Sequence, residues 1–124
     1  NGVKALVLIH MSRKPNFPKR GEVWWVIFGL PVGTESSKIR PAIVVSNDDS
    51  NEFLERIQVV PLTSNVTKIY PSETIVALRG KKNKAASDQI TTVSKRRIKE
   101  KIGRLTDDEL ASVEFVIKLQ LGLS

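Results

Sequence analysis

The fold of this chain is decided by residues 39–46, which read Ile39-Arg40-Pro41-Ala42-Ile43-Val44-Val45-Ser46. The β-branched run at positions 43–45 predicts a strand that is buried on both faces. Pro41 has no N–H to donate, so we expect it among the strand's first residues or on an edge. Arg40 would then lie where the buried strand emerges, and a guanidinium held by a rigid strand is well placed to bind an anion. The alternative is a surface arginine whose stem only covers apolar neighbours.

Length and composition predict one soluble globular domain. The 124 residues are 40% hydrophobic and 27% charged, and there is no cysteine. The composition therefore excludes a disulfide framework, a thiolate nucleophile and a cysteine-based zinc site, and it is compatible with a reducing cytoplasm. No apolar run approaches the roughly 18 residues of a membrane span.

The positive charge is concentrated in one segment. The chain has a net charge of +7, but positions 79–104 contain ten Lys and Arg residues against Asp88 and Glu100, a net charge of +8. A basic surface beside a nearly neutral body indicates a polyanion or an acidic partner, and a charged face kept for solubility is the alternative.

Residues 1–14 are predicted to be a vector-derived or disordered extension, and residues 15–124 a single domain. The sequence begins with Asn1, and His10-Met11 resembles a cloning junction with Met11 as the native start. His10 is the only histidine. We therefore expect no histidine in catalysis or metal binding.

Short strands and tight turns account for most of the remaining chain. In Trp24-Trp25, neighbouring side chains face opposite ways, so one ring would face outward, either to stack on a base or to pack at an interface. Strands are predicted at 23–28, 57–64, 74–78, 85–93 and 102–105, basic turns at 79–84 and 95–97, a loop at 29–38, and a turn with a short helix near 47–51.

One long helix is predicted over residues 107–121. Thr106 and Glu109 have the spacing of a capping box, and Gly122 is a suitable stop. Apolar residues at helical spacing are Leu110, Val113, Ile117 and Leu121. Many short strands and one terminal helix indicate a small, strongly bent β-barrel with a helix packed on it.

Six motifs in order resemble the MazF/PemK family of toxin endoribonucleases, from about Lys19 to the C-terminus. They are Arg20-Gly21-Glu22-Val23-Trp24, Gly33-x-Glu35, residues 40–46, Val60-Pro61-Leu62-Thr63-Ser64, Asp88-Gln89-Ile90 and Ile102-Gly103-Arg104-Leu105. The resemblance implies a mainly β, SH3-like barrel of the CcdB/PemK type with short helices and a C-terminal α-helix. It also implies a cytoplasmic homodimer without cofactor or membrane contact, which cleaves single-stranded RNA at a short motif. A cognate antitoxin would inhibit it by placing an acidic tail in the RNA groove.

The resemblance also implies the site residues. Arg40 and Thr63 would carry the chemistry, with Ser64 beside them. Many relatives have a cation two residues after the glutamine, where this chain has Thr91, so the groove's second cation is expected from the basic segment instead. The expected RNA-binding residues are Gly33, Glu35, Asp88, Gln89, Arg79, Lys81, Lys82 and Lys84.

RNA cleavage suits a chain without cysteine or a native histidine, because the 2′-OH of RNA supplies the nucleophile. Its attack on phosphorus would give a 2′,3′-cyclic phosphate and a 5′-OH. Arg40 could bind the developing charge bidentately, and the two hydroxyls could donate to the same oxygens. No metal-binding pattern is visible, so we expect metal-independent cleavage. The general base stays open, since arginine is always protonated; Asp88 is one candidate.

Two other functions are compatible with parts of this pattern. A non-catalytic SH3-like module that binds nucleic acid would explain the basic segment, but not the convergence of Arg40, Thr63 and Ser64 at predicted strand ends. A gyrase-poisoning toxin of the same fold would use a tryptophan near its C-terminus, whereas here no tryptophan follows Trp25.

Overall fold

A computed structural model describes residues 16–29 and 38–124 of the chain. The predicted N-terminal extension, Gly33 and Glu35 lie outside the described residues. The described part forms seven strands, two α-helices and two 3₁₀ turns. The strands are β1 (Glu22–Phe28), β2 (Lys38–Val44), β3 (Arg56–Thr63), β4 (Glu73–Leu78), β5 (Lys81–Ala86), β6 (Thr91–Ser94) and β7 (Ile98–Arg104); the helices are α1 (Asp48–Phe53) and α2 (Asp107–Leu121); the 3₁₀ turns are Ser87–Gln89 and Lys95–Arg97.

All seven strands belong to one curled antiparallel sheet. Its order is β4-β5-β3-β2-β1-β7, with β6 also paired to β3. Strand β3 changes partner along its length, because positions 56–59 pair with β6 and positions 62–63 pair with β5. The change bends the sheet into a half-barrel, so the expectation of a small, mainly β barrel with a C-terminal helix is confirmed. No helix in the described residues is long and apolar enough to cross a membrane.

Strand β2 is buried on both faces, as its β-branched run predicts. Ile43 belongs to the core beneath α2, whereas Ala42 and Val44 belong to a second core on the other face of the sheet. Pro41 lies in the fourth position of β2, but the ladder with β3 begins only at Ala42. Pro41 is therefore paired with β1 alone and interrupts no β2–β3 hydrogen bond.

The predicted strand over residues 85–93 is wrong. β5 ends at Ala86, and Ser87–Gln89 forms a 3₁₀ turn before β6 begins. The Ser87 hydroxyl lies within hydrogen-bond distance of two carbonyl oxygens, that of Val116 in α2 (3.0 Å) and that of Ser72. This anchoring draws the chain toward the helix and breaks the strand.

Two further boundaries differ from the prediction. The basic turn expected over residues 79–84 is only Arg79-Gly80, because positions 81–86 pair along the whole of β4. β7 begins at Ile98, four residues before the predicted start, because it continues its pairing with β1 as far as Val26. In both cases pairing with a neighbouring strand overrides a lysine-rich sequence of low β-propensity.

Helix α2 has the predicted bounds and the predicted capping box. The Thr106 backbone N–H donates to the Glu109 carboxylate at 3.0 Å, and the Glu109 N–H donates to the Thr106 hydroxyl at 3.1 Å. Gly122 closes the helix with φ at 70°. Val113 and Val116 are the buried residues of the helix, whereas Leu121, part of the predicted stripe, is exposed.

A buried carboxylate joins the two strands at the free end of the sheet. Glu22 accepts hydrogen bonds from the Lys19 N–H at 2.8 Å and the Trp24 indole at 3.1 Å, and it pairs with the Lys101 ammonium at 2.7 Å. Burial raises the pKa of Glu22, but these donors outweigh burial and hold the pKa below its ordinary value.

Replacement of this carboxylate should lower stability in a pH-dependent way. Because the pKa of Glu22 is lower in the folded than in the unfolded chain, its ionised form stabilises the fold above about pH 4.3, and the contribution disappears as the pH falls through the folded pKa. We expect Glu22→Gln to lower the free energy of unfolding by about 1–3 kcal/mol at pH 7. Urea unfolding at pH 7 and pH 3 measures both values.

The exposed Glu100 of the same sheet provides the matched control, and Glu100→Gln should change stability by less than about 0.5 kcal/mol. A loss for Glu22→Gln that is equally large at pH 3 would contradict the assignment of this stabilisation to the ionised carboxylate.

Candidate active site

An open cleft of about 760 Å³ lies at one end of the sheet. It is formed by parts of β1, β2, β3, the β4–β5 hairpin and β7. The predicted site residues that line it are Arg40, Thr63, Ser64, Arg79, Lys81 and Lys82, and the other lining residues are Trp25, Pro41, Leu62, Leu78, Asn83 and Ile102. The three residues expected to carry the chemistry therefore lie in one cleft.

Pro41 explains where β2 and β3 separate. The β2–β3 ladder ends at the pair of Ala42 with Pro61, and Pro41 is the next residue of β2. The Val45 N–H donates to the Gln58 carbonyl across the ladder, so by alternation the backbone nitrogen of Pro41 also faces β3, where it has no hydrogen to donate. Arg40 lies on one separated strand, and Thr63-Ser64 lies on the other. The gap between the strands is part of the cleft.

Arg40 is held by its strand but is only lightly engaged. It pairs with Val26 of β1, and its guanidinium donates one hydrogen bond, of 3.4 Å, to the Gln89 side-chain oxygen. A guanidinium has five N–H donors in a planar fork. Among contacts between described residues, the hydrogen bond to Gln89 uses one of these donors, and the others are available to an anion in the cleft.

The two hydroxyls sit at the start of a loop that is anchored at its far end. The Thr63 hydroxyl accepts a weak hydrogen bond from the Asn65 N–H at 3.4 Å, and Ser64 is exposed. The Lys84 ammonium donates to the Lys68 carbonyl at 2.9 Å and pairs with the Glu73 carboxylate at 3.1 Å. The loop is thereby tied to β5, and the hydroxyls remain available as donors.

The turn between β4 and β5 places a cation at the rim of the cleft. Arg79 and Gly80 have φ values of 50° and 78°, which is the pattern of a two-residue type I′ hairpin turn. Arg79 is the one non-glycine residue with positive φ in the described residues. Asn-Gly is the favoured sequence for such a turn, so an arginine there is conformationally costly. Such strain is characteristic of positions where the side chain has a function.

The two tryptophans have different roles. Trp24 packs against the second core and donates its indole N–H to Glu22, whereas Trp25 lines the cleft. The sequence predicted that one ring faces the core and the other faces outward; in the structure both rings are half-buried, and Trp25 is the one that lines the cleft.

Asn83 is the polar cleft residue that the sequence analysis missed. It lies in a lysine-rich run that was predicted as a turn. Recognition of β5 as a strand would have shown that positions 81, 83 and 85 share one face.

Some predicted RNA-binding residues lie elsewhere. Lys84 does not line the cleft and is engaged by Glu73. Asp88 is exposed on the Ser87–Gln89 turn and is not among the lining residues, whereas its neighbour Gln89 reaches Arg40. The structure therefore brings Gln89 to the site and leaves Asp88 beside it.

The charged side chains that line the cleft are all positive. The described residues that line it include four cations and no acidic side chain. Other cations of the basic segment serve the fold: Lys101 pairs with Glu22, and the Arg97 guanidinium donates to the Ile27 and Gly29 carbonyls at 3.2 and 2.9 Å. The basic segment is therefore not one continuous binding face, and its share of the cleft charge lies in the β4–β5 hairpin.

Comparison with known proteins identifies the family. The family model described as PemK-like, MazF-like toxin of type II toxin-antitoxin system matches residues 19–121. The chain is 37% identical over 114 residues to Endoribonuclease MazF9 of Mycobacterium tuberculosis, with 85% of this chain and 97% of the relative covered.

Solved structures with the same fold include MazF of Deinococcus radiodurans, at 27% identity and a TM-score of 0.74, covering 87% of this chain and 99% of that one. A MazE–MazF structure from the same organism has 28% identity and a TM-score of 0.70, covering 88% and 99% of the two chains. The sequence and the fold therefore match the same family. The chain belongs to the PemK-like, MazF-like toxins of type II toxin–antitoxin systems.

Proposed function

We propose that this protein is a toxin endoribonuclease of the mRNA interferase type, which cleaves single-stranded RNA at a short sequence motif. The observation that carries the proposal is the convergence of Arg40, Thr63 and Ser64 in a cleft rich in cations. Family membership and the relative named Endoribonuclease MazF9 support it. A pure nucleic-acid-binding module would need the cations but not a guanidinium beside two hydroxyls.

The arrangement supports attack by the RNA's own 2′-OH. The 2′ oxygen loses its proton and forms a bond to phosphorus while the bond from phosphorus to the 5′ oxygen breaks. The 5′ oxygen takes up a proton, from Arg40 or from water, which leaves a 2′,3′-cyclic phosphate and a 5′-OH. Arg40 stabilises the charge on the non-bridging oxygens, and Thr63 and Ser64 donate to the same oxygens. Asp88 stands next to Gln89, which contacts Arg40, so it remains the candidate acceptor for the 2′-OH proton.

The cleft favours an unpaired strand as the substrate. Cations bind phosphates, and an aromatic face offers a platform on which an unstacked base can lie. Arg79, Lys81 and Lys82 supply the first property, and Trp25 supplies the second. We propose that cleavage needs no metal or other cofactor, because the 2′-OH of RNA supplies the nucleophile.

Neutralisation by an acidic antitoxin segment follows from the same electrostatics. An anionic chain in the cleft would pair with cations that otherwise hold phosphates, and so would exclude RNA. The solved MazE–MazF complex at 28% identity supports such a partner. A cytoplasmic location is proposed with this function, because RNA and antitoxin meet there, and the cysteine-free sequence suits it.

The first experiment asks whether the protein cleaves a mixed-sequence single-stranded RNA in EDTA. We expect discrete fragments with 2′,3′-cyclic phosphate ends, identified by mass spectrometry. Arg40→Lys keeps the charge but loses the planar fork, so the cleavage rate should fall by roughly 10²–10³-fold while RNA affinity changes little.

Lys68→Arg is the matched control, because it exchanges one cation for another outside the cleft and should leave the rate unchanged. Intact RNA in the presence of folded wild-type protein would contradict the proposed function. Equal losses of affinity and rate in Arg40→Lys would show that Arg40 binds RNA without stabilising the transition state.

Replacement of Arg79, the residue with positive φ in the β4–β5 turn, should raise the stability of the fold and weaken RNA binding. Asn adopts positive φ readily, so Arg79→Asn should raise the free energy of unfolding by about 1 kcal/mol. Loss of one phosphate-binding cation should weaken RNA binding and reduce the slope of log affinity against log salt by about 0.7. Urea unfolding and RNA titration at several salt concentrations measure these effects. Weaker binding with an unchanged salt slope would show that Arg79 makes no phosphate contact.

The outer face of α2 supports the proposed homodimer. Phe115 and Leu119 are one turn apart and are 68% and 52% exposed, whereas Val113 and Val116 face the core. Phe115→Glu should weaken self-association at least tenfold, measured by analytical ultracentrifugation, because a charge would enter an apolar contact. Gln120→Glu adds a charge to another face of the helix and should have little effect. Equal effects of the two variants would exclude this face.

A further inference from the structure

A buried amide lies in the cleft between the cations and the hydroxyls. Asn83 is only 8% exposed, and it lines the cleft from β5. It pairs with the buried Val76 of β4. The last pair between β3 and β5 joins Thr63 to Lys84, so Asn83 follows the end of this ladder and continues its register toward Ser64. Asn83 is thus placed beside the residues that carry the proposed chemistry.

The hydrogen-bonding capacity of this amide is largely unused. A carboxamide offers two N–H donors and an oxygen with two lone pairs. Within the described residues, the Asn83 side chain makes a single hydrogen bond, from its nitrogen to the Lys81 carbonyl, at the long distance of 3.4 Å. The cleft around it is otherwise partly apolar, through Leu62, Leu78 and Ile102. The amide's remaining donor and acceptor capacity therefore opens to the cleft, where water or a ligand can satisfy it.

We propose that Asn83 is a specificity-determining residue that reads the edge of one nucleobase next to the cleaved bond; this inference rests on the proposed ribonuclease function. The amide oxygen and nitrogen lie side by side, so they complement a base edge that presents a donor beside an acceptor. Contacts of the neighbouring cations with phosphates would carry no sequence information. Trp25 lines the same cleft and can hold the base plane by stacking, which is also insensitive to sequence.

A neutral residue fits this role better than a charged one. Arg40, Arg79, Lys81 and Lys82 already surround the cleft with positive charge. A further cation at position 83 would bind any phosphate, whereas an amide contributes only where donor and acceptor both match. Asn83 therefore adds selection without adding non-specific affinity.

The test is cleavage of a randomised single-stranded RNA library in EDTA, with the cleaved ends sequenced, for wild type, Asn83→Ala and Asn83→Asp. In Asn83→Ala, the base preference at one position of the motif should fall by about tenfold, while cleavage of the RNA continues. In Asn83→Asp, the side chain only accepts hydrogen bonds. The preference at that same position should therefore shift to guanine, whose N1–H and N2–H donors are adjacent.

Gln58→Ala is the matched control, since it removes an amide that is bonded to the Thr92 hydroxyl at 3.0 Å outside the cleft; its motif should equal that of the wild type. Thermal unfolding checks that each variant is folded. An unchanged motif in both Asn83 variants, or a uniform loss of cleavage at all sequences, would overturn the inference while the ribonuclease function stands. Failure of the wild type to cleave would overturn both.

Discussion

The point at which one hydrogen-bonded ladder ends positions the site. Pairing of β2 with β3 stops at Ala42 and Pro61, because the backbone nitrogen of Pro41, the next one that faces β3, has no hydrogen to donate. On its other edge, β3 exchanges β6 for β5 over nearly the same residues, and this exchange curls the sheet. Arg40 of β2 and Thr63 of β3 both lie beyond the last β2–β3 pair, so the gap between the two strands forms part of the cleft.

The distribution of positive charge is divided between folding and binding. Lys84, Arg97 and Lys101 lie within the basic segment, but each is engaged by a carboxylate or by backbone carbonyls. The hairpin cations Arg79, Lys81 and Lys82 line the cleft instead, and one of them occupies a backbone conformation that disfavours arginine. The conformation of Arg79 costs stability, and like charges side by side repel each other. Both features are compatible with the proposed role of the hairpin in binding RNA phosphates.

The sequence predicted those features that depend on local chemistry. The bounds of α2 follow from the Thr106–Glu109 capping box and from Gly122, which act within a few residues. The two-sided burial of β2 follows from its β-branched run. Grouping of Arg40, Thr63 and Ser64 at one site came from the family resemblance, and the structure places all three in the cleft.

Features that depend on pairing partners were beyond the sequence. β5 has the composition of a solvated turn, and it becomes a strand because β4 pairs with it residue by residue. Without that pairing the sequence does not show which side chains of β5 face inward, so it did not predict that Asn83 lines the cleft. The sequence likewise could not show which tryptophan lines the cleft. That depends on the contacts of Trp24 with Glu22 and with the second core, which only the folded chain brings together. The sequence thus indicated Arg40, Thr63 and Ser64 as candidates, whereas strand register decides which side chains surround them in the cleft.

The cleft residues fall into groups that differ in what they can distinguish. Cations attract any polyanion, whether an RNA backbone or an acidic peptide, so in the proposed function they would bind substrate and inhibitor alike. In the proposed mechanism, Arg40 and the hydroxyls act on a phosphate beside a 2′-OH, which only RNA supplies. The neutral amide of Asn83 is not attracted to a polyanion by charge. In the proposed role it forms hydrogen bonds only with a base edge whose donor and acceptor match its own. An acidic antitoxin segment can therefore displace RNA through the first group without satisfying the amide. Competition for the cleft is then electrostatic, whereas the choice among RNA sequences is made by hydrogen bonding.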